Sequence, residues 1–126
     1  MIYSKIQIEM VCDALEGNKS AFKRLMKEAP ELAALESAIM GEKEPMEWLL
    51  KNNKMLAAFV TAIDGNKSAM KALFAKKEFA WAAVVSIIMK DLEAEGWLER
   101  QGLHHFVELA KSIKLARERQ NGISFI

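Results

Sequence analysis

Apolar residues recur along this chain at helical spacing almost without a break. Tyr3, Ile6 and Met10, joined by Val11, Ala14 and Leu15, predict a helix over residues 1–16. Gly17 stops it, because glycine turns left-handed past a helix end at little steric cost. Asn18 then caps a second helix over about 19–28, with Ala21, Phe22, Leu25 and Met26 on its apolar face. Pro30, whose missing N–H would be unpaired in a first turn anyway, opens a third that runs to about Met40 with Leu32, Leu35, Ala38 and Ile39 inward.

The same pattern then returns. Gly41 ends the third helix, and Pro45 sits in the first turn of the next, ahead of Met46, Trp48, Leu49 and Leu50. After a break at Asn52–Asn53 come Met55, Leu56, Phe59, Ala62 and Ile63. Gly65 and Asn66 repeat the stop and cap before Ala69, Met70, Leu73 and Phe74. Beyond a corner at Lys76–Lys77 follow Phe79, Trp81, Val84, Val85 and Ile88. A final pair comprises a helix with Trp97 and Leu98 and, past Gln101–Gly102, one from His104 to about Arg119 that Asn121–Gly122 stops. Ala, Leu, Met, Lys and Glu dominate throughout, which favours helix.

The recurrence is literal in places. Gly65-Asn66-Lys67-Ser68-Ala69 repeats Gly17-Asn18-Lys19-Ser20-Ala21 at an offset of 48, and Gly41-Glu42-Lys43-Glu44-Pro45 stands halfway as a degraded copy. A 24-residue period of this kind marks stacked repeats. The fourth copy is offset by 25. Trp97–Leu98 lies 49 residues after Trp48–Leu49, which places an inserted residue near Ile87–Ile88, and Asp91 takes the capping place of Asn66. The prediction is a single all-α domain over 1–126, with four two-helix units and a leading half-unit stacked as a small α-α superhelix. Helices of about ten residues are marginal alone and must be held by their neighbours. If each unit packs chiefly on the next, the stack is elongated and curved. The helix pairs resemble ankyrin-type or HEAT-type repeats in general plan; the period is shorter than either, and the Thr-Pro-Leu-His signature of ankyrin repeats is missing.

Composition narrows the function classes. A 52% hydrophobic fraction, 28% charge and a net charge of +1 describe an ordinary globule, not a protein that binds nucleic acid through overall basicity. The single Cys12 excludes an intramolecular disulfide and a multi-cysteine zinc site. The first residues lack the unbroken apolar run of a signal peptide, and the run from Phe79 to Met89 is about half a membrane span, so a cytoplasmic location is expected.

Few residues suggest chemistry. The recurring Gly, Asn and Ala are explained by turn, cap and close packing, since a phosphate-binding loop needs a preceding strand and a different glycine spacing. Lys19, Lys43 and Lys67 share one repeat position and predict a row along one edge, suited to an acidic partner or to phosphates. Trp48 and Trp97 share another, held by Arg24 and Ala72 in the remaining copies. Their spacing suits core, the simpler reading, or the wall of a groove. Trp81 reads as core. His104 and His105 are adjacent, so their side chains diverge on a helix and do not chelate one metal. Cys12 reads as a small buried residue without a basic partner. Lys111, Lys114, Arg117 and Arg119 suit the C-terminal end of the last helix through its dipole. No acid/base pair, metal set or cofactor motif stands out, so no enzyme and no cofactor are expected. The expected function is an interaction module that binds a protein or peptide in a groove, without a membrane partner. A nucleic-acid-binding repeat that uses the lysine row is the alternative.

Overall fold

The computed structural model describes residues 3–122, and these form nine helices with no strand among them. They are α1 (Lys5–Leu15), α2 (Lys19–Glu28), α3 (Pro30–Ile39), α4 (Lys43–Asn52), α5 (Lys54–Ile63), α6 (Lys67–Ala75), α7 (Phe79–Ile88), α8 (Leu92–Arg100) and α9 (His104–Gln120). The all-helical repeat architecture is as the periodicity predicts. One boundary differs. The first helix starts at Lys5, capped by a reciprocal Ser4–Gln7 box. Tyr3 therefore precedes it, and Ile6, placed inward by its spacing, is 59% exposed. The tail beyond Gly122, left unassigned by the sequence, lies outside the described residues.

One turn ends α1, α3, α5 and α7. The Asn18 N–H donates to the Asp13 carbonyl at 3.0 Å while the Gly17 N–H donates to Ala14, also at 3.0 Å. This is the Schellman arrangement, which needs a left-handed residue at its centre. Gly17, Gly41 and Gly65 supply it with φ of 100°, 89° and 97°, and Lys90 does so in the fourth copy at 71°. The next residue caps the following helix. Asn18 and Asn66 accept from the N–H groups of Ala21 and Ala69, Asp91 accepts from Glu93, and Glu42 makes no side-chain cap.

The extra residue of the fourth copy is not near Ile87–Ile88. Single residues, Ala29 and Asn53, join α2 to α3 and α4 to α5, whereas residues 76–78 join α6 to α7. The additional residue sits in that corner, where Lys77 turns left-handed with φ of 59°. Inside α7 it would rotate the apolar face by about 100°; in a corner it adds only a turn.

The stack closes on itself. Helices α1, α3, α5, α7 and α9 form a ring in which each touches the next, and α9 returns to α1 through the most extensive contact of any helix pair. The sequence expectation of an elongated array fails at this point, because α9 packs on both α7 and α1. Helices α2, α4, α6 and α8 lie outside, each bridging two ring helices. They are thin attachments: α4, α6 and α8 each bury one residue, Leu49, Leu73 and Leu98, and α2 buries Leu25 with Ala21. Met26, placed on an apolar face by its spacing, is half exposed, as are Leu50 and Phe74.

Side chains from several helices meet at both ends of the ring. At one, Trp81 forms the hub of an aromatic cluster, packing edge-on against Tyr3, Phe59 and Phe106 with centroids 6.2, 4.9 and 5.2 Å away. The Asn53 amide donates to the Tyr3 hydroxyl at 3.3 Å. At the other, α9 exceeds every other helix in length and its last turn covers carbonyls left free where other helices end. Arg119 donates to the Leu15 carbonyl at 3.0 Å and Arg117 to that of Ile39 at 3.2 Å, while Gln120 reaches the Met40 carbonyl. Arg117 also pairs with Asp64. These cations serve other helices' ends, a role their position on α9 did not reveal.

Candidate functional site

Successive outer helices make no extensive contact, so a furrow lies between them, floored by the ring helix they flank. Two of these furrows hold chambers among the described residues. The first, furrow A, lies between α2 and α4 over α3. One chamber, about 680 Å³ in volume, has Trp48 as one wall, Phe22 and Met26 as the other, and Ala33, Ala34 and Ser37 on its floor. It continues past Phe22, Ser37 and Glu42 into a second chamber of about 430 Å³, lined also by Lys19, Lys23 and Glu36.

Furrow B, between α6 and α8 over α7, repeats this plan. Its first chamber, about 430 Å³, has Trp97 opposite Phe74, with Phe79, Ala83 and Ser86 beneath. Through Ser86 it joins a chamber of about 330 Å³ lined by Lys67, Met70, Val85 and Asp91. The correspondence is positional. Trp97, Ser86, Ala83 and Asp91 lie 49 residues after Trp48, Ser37, Ala34 and Glu42, and Lys67, Met70 and Phe74 lie 48 after Lys19, Phe22 and Met26. Between them, the α4–α6 position has Ala72 in place of tryptophan, and its Thr61 hydroxyl is turned back to the Ala57 carbonyl at 2.9 Å.

Of the two readings open for Trp48 and Trp97, core and groove wall, neither side chain is fully buried, and Trp97 packs partly against the core. Trp48 is 41% exposed and Trp97 is partly buried, each presenting one face to a furrow. The neighbouring Leu49 and Leu98 take the inward direction instead, and a side chain one step along a helix points away from it. Trp81 is core as expected.

Lys19, Lys43 and Lys67 are all exposed as the first residues of α2, α4 and α6. The row ends there. Leu92 takes the place in α8 and is 88% exposed. Each of the three lysines borders a furrow chamber, Lys19 and Lys43 in furrow A and Lys67 in furrow B, which the sequence did not suggest.

The furrows differ in several polar groups, among them the partly buried Glu36. The Ser37 hydroxyl donates to the Glu36 carboxylate at 3.3 Å, and burial pushes the Glu36 carboxyl above its ordinary pKa, an effect the Ser37 bond partly opposes. Val85 replaces it in furrow B. Ser37 and Ser86, serines at the same repeat position 49 residues apart, were the available signal for a shared floor, and the sequence reading passed them over.

The remaining candidates separate from these furrows. His104 lies between Glu99 and Glu108, and His105 packs against Phe106. Among the described residues no cluster of His, Cys, Asp and Glu suits a metal ion. Cys12 is buried against α9, and desolvation raises its thiol pKa to about 11, which keeps it protonated and inert at neutral pH. No helix among the described residues is long and apolar enough to cross a membrane. No family model matches the chain, and no curated protein or solved structure is significantly similar to it.

Proposed function

We propose that the protein is a non-enzymatic interaction module that binds a peptide or protein segment through its tryptophan-walled furrows. One observation carries this reading: the same tryptophan, serine, lysine and acid positions line two cavities 48–49 residues apart. A half-exposed tryptophan beside a floor of small residues is a costly arrangement for a surface with no partner, and tryptophan is the residue most enriched at binding hot spots. Packing alone does not require it, since Arg24 and Ala72 hold the same repeat position on α2 and α6.

The test is a display selection of random peptides on the immobilised protein. Selected peptides should share apolar anchors and lose affinity when both Trp48 and Trp97 are changed to Ala. Selected peptides that ignore both tryptophans would refute the reading. The nucleic-acid alternative rests on Lys19, Lys43 and Lys67 alone. It requires retention on immobilised nucleic acid that weakens steeply with salt.

A further inference from the structure

The two furrows sit on different sides of the ring. Their floors, α3 and α7, are separated by α5, and α4 and α6 stand between the openings. A short segment seated in one furrow does not reach the other. Because the two linings share their tryptophan, serine, alanine, lysine and acid positions, they accept the same kind of ligand.

Their shape and charge describe that ligand. The walls of furrow A are ten-residue helices, about 15 Å long, which is the length of a short helix. Alanines on the floor, Ala34 in furrow A and Ala83 in furrow B, allow a helix backbone to approach closely. Each second chamber carries a lysine from one wall and an acid from the other, Lys19 with Glu42 and Lys67 with Asp91. No ion pair engages these four side chains among the described residues. A segment lying between the walls meets both signs, so its flanks must carry an acid toward the lysine and a base toward the acid.

We infer that the protein is a bivalent bridge, holding two copies of one amphipathic, mixed-charge helical segment, one in each furrow. The inference rests on the groove reading above and adds stoichiometry and ligand chemistry to it. Each apolar anchor would enter a tryptophan chamber, and each polar flank would lie across the lysine–acid pair.

The probe is a synthetic, end-blocked peptide of about twelve residues. It has Leu and Phe four apart on one helical face and alternating Glu and Lys on the others. Calorimetric titration and native mass spectrometry should show two equivalents bound to the wild-type chain. Trp48→Ala should leave one equivalent and Trp97→Ala the other, each weakening its own site by about thirtyfold or more. Met26→Glu and Phe74→Glu, at exposed furrow positions, provide the same comparison should a tryptophan variant unfold. All-Lys and all-Glu versions of the peptide should bind more weakly at both sites. One equivalent on the wild-type chain, or loss of both sites in a single variant, would overturn the bivalent bridge and leave the groove reading standing. Equal binding of the single-sign peptides would overturn the ligand chemistry. No binding at about 1 mM peptide would overturn both the inference and the groove reading.

Discussion

Trp48 and Leu49 are adjacent on one short helix, and truncating each to alanine should give opposite rankings to those expected from side-chain size. Leu49 is fully buried and is the one buried residue of α4. Leu49→Ala therefore removes transfer energy and leaves a cavity, for which about 3–5 kcal/mol is typical. Trp48 is larger, but about four-tenths of it already meets water. Taking roughly 200 Å² for the side chain, about six-tenths of it buried at about 25 cal/mol/Å², the ceiling is about 3 kcal/mol. The retained alanine and a compact unfolded chain lower this to about 2 kcal/mol, and an open furrow adds no cavity term. Against a typical domain stability of about 5–15 kcal/mol, both variants should remain folded enough to measure. Urea denaturation of the two, at unchanged slope, gives the comparison directly. A loss at Trp48 equal to or larger than that at Leu49 would mean that Trp48 is core and that furrow A is closed in solution.

Three further outcomes are expected. Arg117→Ala should cost about 1.5–3 kcal/mol, because it removes a charged donor from the Ile39 carbonyl and leaves Asp64 unpaired, and chemical denaturation alongside Asp64→Ala measures the coupling. Lys90→Gly should stabilise by about 1 kcal/mol, since Lys90 holds the left-handed turn that glycine holds in the other three copies; no rise in thermal midpoint would count against the turn assignment. His104 donates from Nδ1 to the Glu99 carboxylate and also faces Glu108, and these contacts, the Glu99 hydrogen bond first, raise its pKa above the ordinary 6.5. A raised folded pKa means the contribution is fully present below about 6.5 and is lost as pH rises through the folded value. The melting-temperature gap between wild type and His104→Gln should therefore be small, widest in mildly acidic buffer and closed at alkaline pH.

Most of the local architecture was legible in the sequence. Gly17, Gly65, Asn18, Asn66 and Asp91 act within a few residues of themselves, so their stop-and-cap roles follow from residue type alone. The ring closure was not legible, because it depends on α9 meeting α1, about a hundred residues earlier, and no local pattern encodes that distance. The charges of Arg117 and Arg119 had an adequate local explanation in their own helix dipole, which hid the carbonyls of Ile39 and Leu15 they serve. The furrows were half legible. Alignment paired Trp48 with Trp97, yet helical periodicity gives an apolar stripe without saying which edge of it faces water, so the leucines and tryptophans were assigned together to one face.

The return of α9 to α1 also determines how the fold can fail. In an open array each terminal unit has one neighbour, so it frays first and units can be gained or lost with graded effect. Here no ring helix has a free side, and peeling any one away breaks two interfaces at once. The number of units is thereby locked, because excising 24 residues would leave four ring helices to close a circuit shaped for five. Loss of structure should then be a single concerted event, with no stable fragment in which one furrow survives without the other.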